Sequence, residues 1–378
     1  MVEVERVTEE SPEEREEVLK IGRAAFPFPQ SALVHESSHM LAVRHEGEIV
    51  GGTISEIFEP KDGEKVGLVT WIFTSEVARG LHAGEAVLDT TVDYLEEQGC
   101  DALVAIVEWG NTSSSKLFAS QGFERTSAGD VIDEYGLGGT ARVWLTAMYF
   151  PALGYDLWTK NLVDERQTEK PANTDSLLHL TGSLGVNTAL FVVAVASLFG
   201  VGTVAEYPAY VVLIPLFFLA VRYVPTRLAV ARDDDEWRYH SWGNVYPFAS
   251  VFAVFGLFLP VPGNHAPDER IWTYREKLPL LGPTAFVSSL LTLVLYGVAL
   301  ADVSSVLTTP FPETVSEIVV YTAWFFLVVD LIFPSFPFDT YNARVVRDWN
   351  RGVWFVLALV AVGMLVFTFL RLEFVPVL

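Results

Sequence analysis

Cysteine and positive charge are scarce in this sequence. Cys100 is the only cysteine, so no disulfide can form within the chain and a zinc site of clustered thiolates is excluded. The 378 residues include 25 Lys and Arg against 47 Asp and Glu, and the first 150 residues hold 27 of the acids but 11 of the bases. Such an acidic surface repels phosphate backbones, which argues against nucleic-acid binding. We interpret the acid excess as halophilic, an adaptation to a salty cytoplasm, with an acidic docking surface as the alternative.

A signal-peptide pattern is also missing from the start of the chain. The first thirty residues are rich in Glu and lack both a basic start and an apolar stretch, so no cleavable signal peptide is expected. Composition divides the chain into a soluble domain at 1–150, a polar linker at 151–180 and an apolar domain at 181–378. The last part would drive membrane insertion.

The first 150 residues have the periodicities of a mixed α/β fold. Ser11 followed by Pro12 is typical of a helix start and predicts an amphipathic helix over 12–26. Apolar alternation predicts strands at 40–43, 49–58 and 66–73, a buried strand at 103–107, and two closing strands near Val131 and at 143–149. Helices are predicted at 81–98 and 112–120. This order indicates a mixed sheet with flanking helices rather than a doubly wound sheet.

Apolar stretches dominate the second half, at 186–204, 207–221, 244–260, 281–301, 317–333 and 352–370. A membrane helix needs about 20 apolar residues to cross about 30 Å of hydrocarbon, and several stretches approach that length without an internal charge. Buried helices of a large soluble core are the alternative, but six such stretches in succession favour a lipid bilayer. We expect an all-α, multi-pass transmembrane domain with five or six segments in the cell membrane.

The positions of Lys and Arg favour one orientation in the membrane. With the first domain in the cytoplasm, two crossings return the chain to the cytoplasm at the basic residues of 222–238, as the positive-inside rule prefers. The loops at 270–277 and 344–351 are also basic, whereas 302–317 contains no Lys or Arg. Both basic loops stay inside only if the proline-interrupted stretch 244–260 is re-entrant, which is our prediction.

The most informative motif is Arg-Gly-Leu-His-Ala-Gly at 79–84, between a predicted strand and a predicted helix. Unpaired amides and the positive end of the dipole at a helix start can hold a pyrophosphate. The motif resembles the loop of the Gcn5-related N-acetyltransferases (GNAT), which reads Arg/Gln-x-x-Gly-x-Gly/Ala. Arg79 and Gly84 match, Gly80 fits a frequent variant, and His82 replaces the inner Gly.

A second GNAT pattern follows about thirty residues later. Asn111, Leu117, Gly122 and Phe123 match it, with Phe118 where a Tyr normally stands. The resemblance covers residues 1–150 and implies a GNAT fold that binds acetyl-CoA as acyl donor. It implies that the backbone amides of 77–86 hold the pyrophosphate and that the strand end lines the pantetheine. The cofactor-binding residues would be Phe73, Thr74, Arg79, Gly80, Leu81, His82, Ala83, Gly84, Asn111 and Phe118.

The departures from the family pattern concern the chemistry. The missing phenol at Phe118 is the usual proton donor to the CoA thiolate, so either water protonates the thiolate or the domain binds acyl-CoA without catalysis. General-base candidates are Glu76 and Glu108, and either can equally be a solvated acid. His35 and His39 lie between the first helix and the strands, where the family places acceptor-binding residues, although exposed loop histidines are the commoner case.

The second half has features similar to the intramembrane site-2 metalloproteases. These are Pro-Val-Pro-Gly at 260–263, Leu-Gly-Pro at 281–283 and Phe-Pro-Ser-Phe-Pro-Phe-Asp at 333–339. Their catalysis needs a His-Glu-x-x-His helix, and the best-aligned position reads Arg222-Tyr223-Val224-Pro225-Thr226. We therefore predict an inactive, metal-free relative in which Asp339 persists, with an unrelated anchor as the alternative. Asp330 is expected to face the bundle interior.

Together these observations predict a membrane-tethered N-acetyltransferase that transfers an acetyl group from acetyl-CoA to an amine on the cytoplasmic side. The acceptor is a protein amino group, a polyamine or a small amine, and nothing in the sequence chooses among the three. The alternative is a non-catalytic acyl-CoA sensor whose pseudoprotease membrane domain binds a transmembrane protein partner. Phe118 favours the sensor, and the two matched spacing patterns favour the enzyme.

Overall fold

The computed structural model describes residues 2–163, 176–269, 271–308, 310–334 and 340–372. The chain forms two compact units: Met1–Tyr149 with Tyr155–Lys170, and Phe150–Gly154 with Pro171–Leu378. The first is a mixed α/β unit, and the second is mainly helical.

A seven-stranded sheet forms the centre of the first unit, in the order β1-β2-β3-β4-β5-β7-β6. Strands β4 and β5 are parallel, and the other neighbouring pairs of this sheet are antiparallel. The strands are β1 Val2–Val7, β2 His39–His45, β3 Glu48–Lys61, β4 Glu64–Thr74, β5 Ala102–Glu108, β6 Glu124–Thr126 and β7 Tyr155–Asn161.

Helices cover both faces of this sheet. They are α1 Pro12–Ala25, α2 Gln30–Leu33, α3 Ala83–Glu97, α4 Thr112–Ser120 and α5 Ala128–Thr146. Val18 and Leu19 of α1 pack with Phe73 of β4 on one face, which we call the α1 face. Leu88 of α3 and Phe118 of α4 pack on the opposite face, the α3 face.

A β-bulge interrupts β4 at Thr70. Ile54 pairs with Trp71 and Ser55 pairs with Val69, so Thr70 has no partner on β3. Because the extra residue shifts the side-chain alternation, Trp71 lies on the α1 face although Val69 lies on the α3 face. The parallel pairing of β4 with β5 ends at the same place, since Val69 and Ala105 form the last pair. Beyond this pair the two strands separate.

Three parts of the first unit differ from the sequence prediction. Strand β1 was not predicted, because its acidic residues hide a short alternation of Val with Glu. The expected strands near Val131 and at 143–149 are wrong: α5 covers most of this region, with a break at Gly136, whose φ is 67°. Residues 155–161, expected in a linker, form β7 and pair with both β5 and β6.

The second unit is built from eight helices in the part of the chain that the structure describes. They are α6 Ser176–Phe199, α7 Val201–Glu206, α8 Pro208–Val230, α9 Tyr246–Val254, α10 Tyr274–Val303, α11 Glu313–Leu327, α12 Asn342–Trp349 and α13 Arg351–Leu372. A π-helical turn, Val328–Ile332, continues α11. The all-α expectation missed a small antiparallel ribbon of β8 Trp237–His240 and β9 Asn264–Pro267.

Five helical segments are long and apolar enough to cross a membrane: Leu177–Phe199, Pro208–Val230, Tyr274–Val303, Glu313–Ile332 and Arg351–Leu370. The predicted stretch 244–260 is not among them. It contributes only the nine residues of α9, which rise about 14 Å at about 1.5 Å per residue, less than half of a hydrocarbon core. The first segment begins earlier than predicted, within residues expected to be linker.

Candidate functional site

A surface cleft of about 460 Å³ lies at the start of α3. Its floor is the turn between β4 and α3, and its far wall is α4. The lining residues are Thr74, Ala78, Arg79, Gly80, His82, Ala83, Gly84, Glu85, Ser113, Lys116, Leu117 and Ser120. Six of the residues predicted to bind the cofactor are therefore neighbours in one cleft: Thr74, Arg79, Gly80, His82, Ala83 and Gly84.

Two left-handed residues shape the backbone of the 79–84 turn beside this cleft. Gly80 has φ 77° and His82 has φ 56° with ψ 23°. A left-handed conformation favours glycine, which explains physically why the inner position of the family pattern is a Gly. Helix α3 starts at Ala83, so the amides of its first turn have no carbonyl within the helix to bond. Those amides and the helix dipole make the cleft suited to a pyrophosphate.

Two cations line the cleft. Arg79 contacts Glu76 at 3.3 Å, but both side chains are more than four-fifths exposed, so this pair holds Arg79 only weakly. The sequence prediction did not include Lys116, which is exposed on α4 and reaches the cleft from the opposite wall. Its position in the sequence, about one turn into the helix that follows Asn111, could have identified it as a residue that faces the cleft. Both cations can pair with the phosphates of a nucleotide-bearing cofactor.

The remaining four predicted cofactor residues are not among those that line this cleft. Phe73 is buried on the α1 face, and Leu81 does not line the cleft. Asn111 caps α4 by accepting a hydrogen bond from the Ser114 amide at 3.1 Å. Phe118 is 2% exposed and meets the Phe123 ring edge-on at 5.0 Å in the core. The structure therefore gives Asn111 and Phe118 clear roles in the fold.

Near the cleft, strands β4 and β5 stop pairing with each other. Past Val69 and Ala105 the two strands no longer pair with each other, so their facing backbone edges can hydrogen-bond an extended ligand. At the apex, Thr70 Oγ1 is buried, and no group in the described part of the chain hydrogen-bonds to it. A buried hydroxyl without a partner is unfavourable unless a ligand or water supplies one. This opening suits an extended ligand with a polar end at Thr70.

The two candidate general bases differ in their surroundings. Glu76 is exposed beside Arg79 at the outer rim of the cleft. Glu108 is half-buried at the end of β5 and pairs across the sheet with Tyr155 of β7. Of the two, only Glu108 lies on a strand that borders the opening.

The two predicted acceptor-binding histidines lie on opposite faces of the sheet. His39 begins β2 rather than lying in a loop, and its Nδ1 is 2.8 Å from the Tyr94 hydroxyl of α3. Burial, with a smaller effect from the Arg6 charge, lowers the pKa of His39. This position separates His39 from the α1 face.

His35 lies on the α1 side, where its Nδ1 contacts the Leu33 carbonyl at 2.8 Å and its Nε2 contacts Glu56 Oε1 at 3.0 Å. A carbonyl and a carboxylate both accept hydrogen bonds, so the two contacts are satisfied together when the imidazole is protonated at both nitrogens. The hydrogen bond to Leu33 and the Glu56 carboxylate raise the pKa of His35.

The second unit contains a buried ion pair. Asp330, in the π-helical turn, is 1% exposed and faces the interior, as predicted. Its carboxylate contacts the guanidinium of Arg222 on α8 and accepts hydrogen bonds from the backbone amide and side-chain amide of Asn342, at 3.0 and 2.7 Å. Arg222 also donates to the Thr340 carbonyl. Through these contacts α8 is connected to the residues before position 335, at Asp330, and to those after position 339, at Thr340 and Asn342.

The predicted site-2 protease motif is described only in part. Asp339 lies outside the described residues. Within those residues no group of three or more His, Cys, Asp or Glu side chains is placed to hold a metal ion. Arg222 and Thr226, which align with the protease helix, lie on α8, where Thr226 contacts the Thr284 hydroxyl at 3.3 Å.

Comparison with known proteins assigns the first unit. The profile of the acetyltransferase (GNAT) family matches residues 3–123, so this part of the chain is a GNAT-type domain. No curated protein matches the sequence. The family match ends before the helical unit, and similarity of that unit to site-2 proteases stays a prediction.

Three solved structures are similar to the chain at low identity. The NatC complex bound to Gag peptide and CoA is 12% identical, with a TM-score of 0.33 over 43% of this chain and 98% of the other. The IAA acetyltransferase from Bacillus cereus is 18% identical, with a TM-score of 0.27 over 34% and 79%. N-acetylglutamate synthase from Neisseria gonorrhoeae, complexed with coenzyme A and N-acetyl-glutamate, is 16% identical, with a TM-score of 0.30 over 43% and 35%.

Proposed function

We propose that this protein is a membrane-tethered N-acetyltransferase, which binds acetyl-CoA in its first unit and transfers the acetyl group to an amine. The observation that carries the proposal is the cleft at the start of α3, whose lining brings the first turn of that helix together with the cations Arg79 and Lys116. It coincides with the residues that match the GNAT family.

The residues around the opening fit the parts of acetyl-CoA in order. The amides of the first α3 turn, with Arg79 and Lys116, would hold the phosphates. The unpaired edges of β4 and β5 would bond the amides of an extended pantetheine chain, as strands bond a peptide. The acetyl thioester would then reach the apex, where Thr70 Oγ1 lacks a partner.

The reaction needs an unprotonated amine, because only the free lone pair attacks the thioester carbonyl. A carbon–nitrogen bond forms, the carbon–sulfur bond breaks, and CoA leaves as a thiolate that must gain a proton. Phe118 has no hydroxyl to supply that proton, so water would do so. The direct contribution of this chain is to position the two reactants, an effect worth several orders of magnitude in rate.

Binding of acetyl-CoA tests the proposal directly. Calorimetry on the full chain in nanodiscs, at high salt, should show one site. Gly84→Phe should abolish binding, because an added Cβ meets only Leu117 Cδ2, at 3.6 Å, and a large ring would fill the cleft instead of disturbing the core. Gly138→Phe is the matched control, since Gly138 on α5 has open space around it. Absence of binding by the folded wild-type chain would refute the proposal.

A non-catalytic acyl-CoA sensor is the second candidate. The specific observation in its favour is Phe118, a buried ring at the position where the family pattern has the proton-donating phenol. A sensor would bind acetyl-CoA with no acetylated product from any amine. Its membrane unit, proposed to be an inactive protease relative, would then bind a transmembrane partner.

We propose that the five long segments cross the cell membrane and leave the first unit in the cytoplasm. Five crossings place the end of α13 on the opposite side. The basic loops before α10 and around α12 then lie inside, as the positive-inside rule prefers, and α9 enters the membrane without crossing it. Its irregular flanks would be covered by protein.

A further inference from the structure

Helix α5 of the first unit leaves a row of apolar side chains exposed. Leu137 is 76% exposed, Leu145 is 67% exposed, and Met148, in the turn that ends the helix, is 48% exposed. Leu137, the half-buried Ala141 and Leu145 follow one another at intervals of four residues, so they lie on one face of the helix. We call these four residues the α5 stripe. A single exposed apolar residue is ordinary, but a row of them is typical of a binding surface.

The opposite side of the same helix is packed against the protein. Thr140, Val143 and Trp144 are buried there. Between Leu137 and the end of the helix, Arg142 is the one charged residue in the sequence. This part of α5 is therefore apolar on both sides, and a helix of that kind is normally covered all round.

The stripe also lies in the longest acid-free stretch of residues 1–163. No Asp or Glu occurs at 135–155, whereas the 134 residues before it contain 27 of them. Gly136 breaks α5 at this boundary, with a φ of 67°, and Asp130, Asp133 and Glu134 all lie before the break. Because an acidic surface is repelled by lipid phosphates, the acid-free part is the one best suited to approach a bilayer.

The chain runs from this stripe directly into the helical unit. Phe150–Gly154 belong to that unit, where the Ala152 carbonyl accepts a hydrogen bond from the Asn244 side chain at 3.1 Å. Asn244 lies just before α9, the helix that we propose to enter the membrane from the cytoplasmic side. Four residues of chain, from Met148 to Ala152, span at most about 14 Å. In an inserted protein the end of the stripe is therefore close to the bilayer surface.

We propose that the α5 stripe is a lipid-binding surface, which rests on the cytoplasmic face of the bilayer and holds the first unit against it. The inference goes beyond acetyl transfer and rests on the proposed membrane insertion of the helical unit. Leu137, Leu145 and Met148 would enter the boundary between headgroups and acyl chains. Arg142, which is exposed beside them, would pair with a lipid phosphate.

The depth of one stripe residue in the bilayer tests the proposal. The full chain carries Leu145→Cys in a Cys100→Ala background, is labelled with bimane and is placed in phosphatidylcholine nanodiscs. Because an interfacial helix buries its apolar face by about 5–10 Å, we expect quenching by a lipid nitroxide and protection from iodide in the water. Glu97→Cys, exposed on α3, is the matched control and should show the reverse.

Added carboxylates test whether the stripe makes the contact. Leu137→Glu/Met148→Glu in the labelled chain should abolish the lipid quenching, because a carboxylate loses hydration in the boundary region. Both positions are exposed, so the fold should persist, which circular dichroism checks. Gln98→Glu/Gln121→Glu adds two acids after α3 and α4 and should leave the quenching unchanged. Full quenching in Leu137→Glu/Met148→Glu would overturn the stripe as the contact.

Salt separates an apolar contact from a charged one. Between 0.1 M and 1 M salt the Debye length falls from about 10 Å to about 3 Å, which screens exposed charges. Lipid quenching at Leu145→Cys should persist at 1 M. Its loss there would assign the contact to charge and would contradict an apolar stripe.

Two other coverings of the stripe have distinct signatures. Protection from both quenchers would mean that protein covers it, and a disulfide-linked dimer of unlabelled Leu145→Cys would identify a second copy of this chain. Either result overturns the lipid contact. Phe217→Cys on α8, 54% exposed within a candidate membrane span, measures insertion itself. Lipid quenching at Phe217→Cys but not at Leu145→Cys contradicts this inference alone, and quenching at neither contradicts the proposed membrane insertion as well.

Discussion

Asp330 and Arg222 form a buried ion pair between the π-helical turn after α11 and helix α8, and each has further hydrogen bonds that leave little of its charge uncompensated. Removing one partner of such a pair leaves the other charge buried and costs about 3–5 kcal/mol, whereas replacing both by apolar residues is often neutral. The pair therefore gives a sharp test of the helical unit.

We expect Asp330→Asn and Arg222→Met each to destabilise the helical unit strongly, and the double variant Arg222→Met/Asp330→Leu to recover most of the loss. Denaturation in nanodiscs, monitored by protection from proteolysis, measures these changes in stability. The control is the pair Arg347 and Asp348 on α12, which is partly exposed and should change stability by less than about 1 kcal/mol. Additive losses in the double variant would show that the two residues act independently.

His82 should tolerate glycine. Its φ of 56° costs any residue with a Cβ about 1–2 kcal/mol of conformational strain. Glycine avoids this strain, but its larger conformational entropy in the unfolded state offsets part of the gain in stability. We expect His82→Gly to slow hydrogen exchange of the first α3 turn and to leave acetyl-CoA affinity intact, because the amide remains. Gly80→Ala introduces a Cβ at a φ of 77° and should therefore speed hydrogen exchange of the same turn. Loss of affinity in His82→Gly would assign the imidazole a part in binding.

Phe118→Tyr should raise turnover by about 10²-fold, if protonation of the CoA thiolate limits the reaction. Phe118 and Val69, the last β4 residue that pairs with β5, belong to the same buried cluster on the α3 face. Phe123→Tyr, in the same aromatic pair, controls for a hydroxyl added to the core. Unchanged turnover in a folded Phe118→Tyr chain would show that protonation by water is sufficient.

The first unit should fold as residues 1–163 but not as residues 1–150. Strand β7 lies between β5 and β6, so the shorter fragment exposes the edge of β5 and leaves β6 without a partner. Open strand edges promote aggregation. Dispersed amide signals and acetyl-CoA binding for 1–163, with aggregation of 1–150, are the expected results. An equally folded 1–150 fragment would mean that β7 is dispensable.

Cysteine labelling tests the membrane topology in a Cys100→Ala background. Single cysteines at Glu269 and Asn350 should resist an impermeant reagent added outside cells, and one at Val306 should react. All three positions are exposed. Asn342 on α12 is not used, because it is buried and a cysteine there would resist the reagent on either side of the membrane. Labelling at Glu269 from outside would make 244–260 a true crossing.

Local pattern was sufficient for much of the first unit. The predicted helix at 112–120 has the observed bounds of α4, and β2 to β5 lie where alternation placed them. These elements pair with neighbours in sequence or carry a strong apolar period, so their signals are local.

The errors come from long-range pairing and overlooked caps. Strand β7 pairs with β5, about fifty residues earlier, and its own sequence is short and polar. Helix α5 could have been found, because Ser127 and Asp130 form a capping box with hydrogen bonds of 2.9 and 3.2 Å. The apolar residues at 143–149 were read with a strand period, although α5 runs to Thr146 and a turn follows it.

The cleft itself was predictable only from its motif. The 79–84 residues identified the turn, but the Thr70 bulge and the end of β4–β5 pairing have no local sequence signal. Phe118 was expected beside the cofactor because of its spacing, and its burial against Phe123 depends on how α4 packs on the sheet.

The bulge at Thr70 implies a conflict between sheet stability and ligand binding. Deleting Thr70 would give β4 regular pairing with β3 and remove the local bend, while Trp71 would keep its face. The ladder between β4 and β5 could then extend past Val69 and Ala105, and the added backbone hydrogen bonds would close the space now left for a ligand. A more stable sheet would thus bind the ligand less well.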